Sequence, residues 1–484
     1  MGRHPSRTNA GARRCAQSIL GEERVTLVLA CRDHANTPSQ LWISPDRRGR
    51  RSIARSHAVD IDSVARGGAM TDADAIAKLL APVTLAEFTA TLWERRARHI
   101  VRDDPSRFSD LVDLDEIERA LLIGAFNRAT LRLSREGSIA PRQYLSTRHY
   151  SPNKHLANEL DTERVLDEFA RGASLVLTFT ETNFPRICAL ARTIAGVFNS
   201  CTEGHVIVTP TSASESALDL HYDIVDVFAL QVRGRKRWKV YAPRFVAPLP
   251  HQRNFGVART SADDLVLDVE LGPGDTLYIP RGFPHFAERS EGVSIHVAIG
   301  VRPFTVYDAV SRAFDRALAE IAEDPALRRA LFSPRLDAAA DEDELAIAAT
   351  RAGLERSLAH LEPEAGVARL HDDLRRQQYC MAAGRLAALA DLDAMTLDSR
   401  VALGDRPLIR VLEGPGRLPA CRIEANNHAL LLPAKFEASL RQLCGAEGPV
   451  VVRTFAQLGE DDQLMLGKLL VRKGVGAWLD APRA

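Results

Sequence analysis

"HYDIVDVFALQVRGRKRWKVYAP", residues 221–243, decides the fold. Two apolar runs, "VDVFALQV" and "RWKVYAP", flank a basic turn at Gly234, the signature of a hairpin. At its head stand His221 and Asp223, at alternate positions. Residues i and i+2 of a strand face the same way, so this imidazole and this carboxylate are expected side by side on one face. Both are metal-ligand types, and together they form half a chelate. On the returning strand the same alternation puts Lys236, Trp238 and Val240 on one face, so burial of Trp238 and Val240 carries Lys236 inside. Arg233, Arg235 and Arg237 take the opposite role and solvate the hairpin.

The period of two extends outward from this stretch. "HVIVTP", "LVLDVEL", "DTLYIP" and "SIHVAIGV" join the first two runs to give six short strands between about residues 205 and 304, divided by Gly and Pro. That pattern predicts an antiparallel barrel or jelly roll. A third ligand is expected from "GDTLYIPRGFPH", where Pro280 and Gly282 end a strand and His285 follows directly. His296 is its rival, and is expected to line the pocket or to support a ligand from behind. His205 and His251 read as surface or lining residues. Two imidazoles and a carboxylate on one side of a metal leave the other positions open, as in the facial triad of non-haem Fe(II) oxygenases. The same ligands suit a catalytic zinc. A fixed cation beside such a site can hold the distal carboxylate of a dicarboxylate co-substrate. Lys236 is the expected anchor, in the role of a 2-oxoglutarate ligand.

The rest of the chain narrows the class. Its 484 residues allow about three domains. Lys+Arg and Asp+Glu balance at 63 each, so overall charge demands neither nucleic acid nor an anionic membrane. The seven cysteines form no CxxC pair and read as reduced thiols of a cytoplasmic protein. No apolar run approaches the roughly 20 residues of a membrane span. Residues 1–69 are Arg-rich and Lys-free and lack periodicity. They are expected to be a disordered tail or an upstream extension, with the first domain opening at Met70. Thr84 and Glu87 form an expected capping box before a helix to about Trp93. After the barrel, residues 305–378 read as amphipathic helices. "DELAIAATRAGLERSLAHL" carries one stripe through Leu345, Ala348, Ala352, Glu355 and Leu358 or Ala359, and another through Ile347, Leu354 and Leu361. A helix apolar on two sides needs two partners, and the second is expected to be the same helix of another subunit. Residues 379–484 mix short strands with helices in a winged-helix order.

On "HYDIVDVFALQVRGRKRWKVY" with "LGPGDTLYIPRGFPH", the chain resembles the cupin-like JmjC oxygenases, and among them the ribosomal oxygenase group. The opening "APVTLAEFTATLWERRARHIVRDDPSRFSDLVDLDEIERALL" is also similar to that group. The resemblance covers about residues 78–484. It implies an α+β chain: a double-stranded β-helix catalytic domain at 70–304, a helical dimerisation segment at 305–378 and a winged-helix-like domain at 379–484. It implies Fe(II) on His221, Asp223 and His285, 2-oxoglutarate on Lys236, and O₂ as the second co-substrate. It also implies a homodimer and a protein substrate, such as a ribosomal protein hydroxylated on His or Arg. The chain departs from the group at "TPTSASESALDL", where members carry a Gly-Ser-rich stretch, and at His205, where some carry Asn. No substrate-binding residue is carried over. Two other classes stand beside this one. The first is a winged-helix DNA-binding regulator with a ligand-sensing barrel, disfavoured by Glu460, Asp461 and Asp462 at the start of its helix. The second is another metal-dependent cupin enzyme, such as an isomerase or a zinc hydrolase, which would need no carboxylate anchor at Lys236.

Overall fold

The computed structural model describes residues 72–480 apart from 136, 147–159, 212–218, 254, 289–291, 332–339, 378–384, 404–407, 413–419, 426–427 and 447. The Arg-rich tail and most of the loop "TPTSASESALDL" lie outside the described residues.

The N-terminal part is helical: α1 (Asp72–Leu80), α2 (Leu85–Thr91), strand β1 (Arg98–Ile100), α3 (Leu114–Leu122), β2 (Leu131–Ser134), α4 (Thr162–Ala170), β3 (Ser174–Thr178) and α5 (Pro185–Val197). Thr84 caps α2 by accepting the Glu87 N–H, which is half of the expected box. Asp113 and Glu116 make a full capping box at α3.

The six expected strands follow: β4 (Cys201–Thr209), β5 (Asp226–Arg233), β6 (Lys236–Tyr241), β7 (Leu265–Leu271), β8 (Thr276–Ile279) and, after a short β9 (His285–Ala287), β10 (Ser294–Arg302). Two antiparallel sheets result, of order β1-β8-β5-β10-β4-β3-β2 and β7-β6-β9. Alternation sorts their side chains. Phe228, Leu230, Tyr278, Ile295, Val297 and Ile299 point outward into the core shared with α1–α5. Val227, Ala229, Trp238, Val240, Leu277 and Ile279 point inward and fill the space between the sheets. This is a jelly-roll frame with one inner face, as the strand pattern predicts.

The hairpin between β5 and β6 requires glycine at its turn. Gly234 has φ +66°, and a Cβ there would sit 2.3 Å from the Val293 carbonyl oxygen.

Beyond β10, Thr305 caps α6 (Val306–Ile321), followed by α7 (Ala340–Ala359) and α8 (Pro363–Gln377). The stripes expected on α7 need a correction. Among the described residues its buried positions are Ala346 and Ser357, with Gly353 half-buried against Leu327. Small residues let α7 approach its neighbours, and Leu345, Ile347, Leu354 and Leu358 on both apolar stripes stay exposed.

The last segment has its own core, around Val401, Ile423, Phe436, Leu440, Leu466 and Leu470. It contains α9 (Arg385–Ala390), β11 (Arg400–Leu403), β12 (Leu408–Leu412), β13 (Ala420–Ala425), β14 (His428–Pro433), α10 (Glu437–Gly445), β15 (Val450–Val451), α11 (Glu460–Arg472) and β16 (Gly476–Trp478). One three-stranded sheet, β15-β11-β16, sits with α10 and α11. A second sheet, β12-β13-β14, was not expected from the sequence.

Candidate active site

Strand β5 begins at Asp226, so His221 and Asp223 precede it rather than head it. A bend at Ile224 and Val225 separates them from the regular strand. They pair instead with the turn that follows β8. His221 and His285 exchange both backbone hydrogen bonds, at 3.3 and 2.7 Å, and the Gly282 N–H donates to the Asp223 carbonyl at 3.0 Å. Gly282 permits this approach: its φ is +87°, and a Cβ would lie 2.6 Å from the Phe245 carbonyl oxygen and 2.7 Å from Pro248 Cδ. The two segments thus lie edge to edge, and the three side chains converge.

Backbone contacts fix the state of both imidazoles. His221 Nδ1 lies 2.7 Å from the Asp219 carbonyl oxygen, and His285 Nδ1 lies 2.9 Å from that of Phe283. A carbonyl only accepts, so each Nδ1 carries a proton, which in a neutral imidazole leaves the lone pair on Nε2, the atom a cation would take. Ligand atoms of His221, Asp223 and His285 all lie within 4.8 Å of one another, with Asp223 Oδ2 3.7 Å from His285 Nε2. Burial, together with nearby His221, holds His285 below the usual imidazole range, in the neutral form that ligates. Two neutral nitrogens and one carboxylate fit a divalent first-row ion with open positions.

Deeper along the same inner face lies Lys236, which is 1% exposed. Its ammonium donates to Thr209 Oγ1 at 3.0 Å, and among the described residues no carboxylate pairs with it. Burial pulls it down to about 8. Three more buried polar atoms on this face have no hydrogen-bond partner among the described residues: Gln231 Oε1, Trp238 Nε1 and His296 Nδ1. The Trp238 ring stands between the two ends, with its centroid 6.0 Å from that of His285 and 5.3 Å from that of His296. Burial and the Lys236 charge keep His296 neutral, down to about 3. Three metal-ligand types at one end of this face, a buried ammonium at the other and idle polar atoms near the latter suit an elongated anion that also chelates metal.

The other sequence candidates separate here. His296 is buried on the same inner face beside Trp238 but does not join the triad. His205 lies on the inner row of β4, half-buried, 3.4 Å from Glu203. It holds Glu203 below the usual carboxylate range, and Glu203 also feels the charges of Asp223 and Arg253. His251 is exposed beside Tyr307. Arg235 and Arg237 face outward and pair with Glu270 and Asp268. Sequence reasoning passed over Thr209 and Gln231. Alternation in "HVIVTP" carries the signal for Thr209, because His205, Ile207 and Thr209 share a face.

Comparison with known proteins follows the same lines. Residues 183–309 match the family model described as JmjC domain. A bifunctional lysine-specific demethylase and histidyl-hydroxylase NO66 from Drosophila pseudoobscura pseudoobscura is 27% identical over 227 residues, 46% of this chain and 22% of that one. Ribosomal oxygenase 1 of Rattus norvegicus is 31% identical over 233 residues, 46% of this chain and 36% of that one. The chain therefore spans well under half the length of these relatives. A solved structure of the Escherichia coli ribosomal oxygenase YcfD is 17% identical with a TM-score of 0.42, covering 82% of this chain and 98% of that one. The chain carries a JmjC domain and, over the matched residues, is similar to ribosomal oxygenases.

Proposed function

We propose that the chain is an Fe(II)- and 2-oxoglutarate-dependent protein hydroxylase. His221, Asp223 and His285 would hold the metal, and Lys236 would hold the distal carboxylate of the co-substrate. The observation that carries this reading is the Lys236 ammonium, buried with no carboxylate partner among the described residues, on the same inner face as the three converging ligand types. A zinc hydrolase or an isomerase has no use for that cation. Fe(II) with 2-oxoglutarate and O₂ supplies the oxidising power to place one oxygen atom in a C–H bond, and leaves succinate and CO₂.

The protein's own part is arrangement. The Asp219 and Phe283 carbonyls hold the two ligand imidazoles in one tautomer. Lys236 and Thr209 fix the far end of the co-substrate, and Trp238 and His296 flank it and keep out water. Titrating 2-oxoglutarate into protein loaded with Mn(II) should give binding that needs both the metal and Lys236. Binding that survives loss of either would count against the paired roles.

The relatives' names, ribosomal oxygenase and histidyl-hydroxylase, support a ribosomal protein hydroxylated on His as substrate; Arg as the target residue and a cytoplasmic location rest on the reading of the sequence. The DNA-binding alternative gains nothing from α11. Glu460, Asp461 and Asp462 occupy its first turn, and Lys435 is already paired with Asp462 at 2.8 Å. We keep a winged-helix-like reading for residues 379–484, resting on the β15-β11-β16 sheet and its two helices.

The helical segment is read as a dimer interface. In addition to the exposed residues of α7, α6 exposes Val306, Tyr307, Val310, Phe314 and Leu318. So much apolar surface on adjacent helices marks an association site. Light scattering at micromolar concentration should report twice the chain mass, and Leu354→Glu with Leu358→Glu should halve it. A wild-type monomer that persists at high concentration would contradict the dimer.

A further inference from the structure

The last rung that pairs β5 with β8 is Val227 with Ile279. Asp223 and His285 both lie beyond it: Asp223 precedes β5, and His285 opens β9 of the other sheet. Something must keep those segments in register. On the inner side three backbone contacts of Gly282, His221 and His285 join them, and β6 holds the His285 segment through its pairing with β9. On the outer side there is a second connection. Asp226 is fully buried, accepts from the Tyr278 hydroxyl at 2.7 Å, and lies 3.2 Å from the Arg281 guanidinium. Arg281, 7% exposed at its side chain, also pairs with Glu94. The Glu94 N–H donates to the Tyr278 hydroxyl at 2.8 Å, and Glu94 has φ +58°. Next to it, Trp93 stacks on Phe198 and Tyr278.

We infer that the Asp226–Arg281 ion pair, braced by Tyr278 and Glu94, is a positioning clamp that sets the spacing of Asp223 and His285 from the opposite face of the sheet. This rests on the reading that the triad holds a metal. Asp226 opens the strand just after the Asp223 segment, and Arg281 sits in the turn that delivers His285. The pair therefore ties the two ligand-bearing segments to each other and, through Glu94, to the helical layer. Stability alone is a poor reason for it. Asp226 meets the guanidinium out of water while Glu94 competes for it from a part-exposed position, and a buried ion pair often gains no more than an apolar replacement would. Burial also pushes Asp226 up to about 6, so its charge is held at a cost. Positions around metal ligands are where such costs are commonly met, because outer contacts govern metal affinity.

The test is Co(II) binding to the full chain, read by titration and by the ligand-field absorption of the bound ion. Arg281→Lys keeps the charge but loses the fork, and Asp226→Asn keeps the shape but loses the charge. Each should weaken Co(II) binding by about 10-fold or more and shift the absorption bands. At saturating metal, 2-oxoglutarate affinity should stay near that of wild type, since Lys236 hangs on another strand. Val165→Ala, in the same core but on α4 beside the far-edge strand β2, serves as the control for lost stability; it should bind Co(II) as wild type does at a similar thermal midpoint. If the ion-pair variants fold poorly, Tyr278→Phe removes a single hydroxyl and should move affinity the same way. Clamp variants that bind Co(II) as tightly as wild type, with unshifted bands, would overturn the clamp. A wild-type chain that binds no Co(II), or a His221→Ala variant that binds it equally well, would overturn the metal reading beneath it.

Discussion

Lys236→Met should abolish useful 2-oxoglutarate binding and, in the same protein, raise the thermal midpoint. Both effects follow from one fact: the ammonium is buried with a hydroxyl as its partner and, among the described residues, no carboxylate. Removing a desolvated charge-assisted bond costs about 2–5 kcal/mol, so the co-substrate requirement should rise by roughly 30-fold to several thousandfold. The iron requirement should change little, because Lys236 contacts no metal ligand. Equal losses on both would contradict the anchor role. Stability moves the other way. Burial lowers Lys236 from 10.5 to about 8. At about 1.4 kcal/mol per tenfold, holding the charge costs the empty fold about 3 kcal/mol. That cost is fully present below pH 8 and fades as pH rises towards 10.5, so the gain in Lys236→Met should be largest near neutrality and disappear in alkali. Wild-type 2-oxoglutarate affinity should fall as pH passes 8, where the empty site loses its cation. Thermal melts across this range, beside co-substrate titrations, check both directions.

His221→Ala, Asp223→Ala and His285→Ala should each abolish metal-dependent turnover. Loss of a mere outer hydrogen bond to a ligand lowers metal affinity by roughly 10–100-fold, and loss of the ligand itself should exceed that. The fold should survive in Asp223→Ala, whose side chain is 29% exposed. His285→Ala should be the least stable of the three, because that ring is packed between the sheets beside Trp238. His296→Ala should keep its metal and lose co-substrate affinity, as its ring meets Trp238 on the Lys236 side. An active His285→Ala beside a metal-free His296→Ala would show that the wrong distal histidine had been chosen.

Much of this site is legible in the sequence because a strand has only two faces. Alternation from Lys236 through Val240 shows that a lysine shares a face with a tryptophan, and the structure buries both. Gly234 marks the hairpin because the close Val293 carbonyl excludes a Cβ. Other features depend on distant contacts and leave no local trace. The bend at Ile224 and Val225 follows from pairing with Gly282 and His285, across the whole β5–β8 excursion. Asp226 reads as one more polar residue in an apolar run until Arg281, Tyr278 and Glu94 come round to meet it. The α7 stripes mislead for a related reason. Close helix packing selects Ala346, Gly353 and Ser357, so the large apolar residues that dominate the periodicity face away.

If His221, Asp223 and His285 hold Fe(II) and Lys236 holds 2-oxoglutarate, the chain should couple oxidation of 2-oxoglutarate by O₂ to hydroxylation of a protein. The most direct measurement is succinate release from 2-oxoglutarate by the full chain, with a panel of ribosomal proteins scored by mass spectrometry for gain of one oxygen atom. Wild type with Fe(II) should release succinate in step with oxygen gain on a His or Arg of one protein, and His221→Ala and Lys236→Met should do neither. A wild-type chain that binds metal but releases no succinate, or one whose succinate release persists unchanged in His221→Ala, would contradict it.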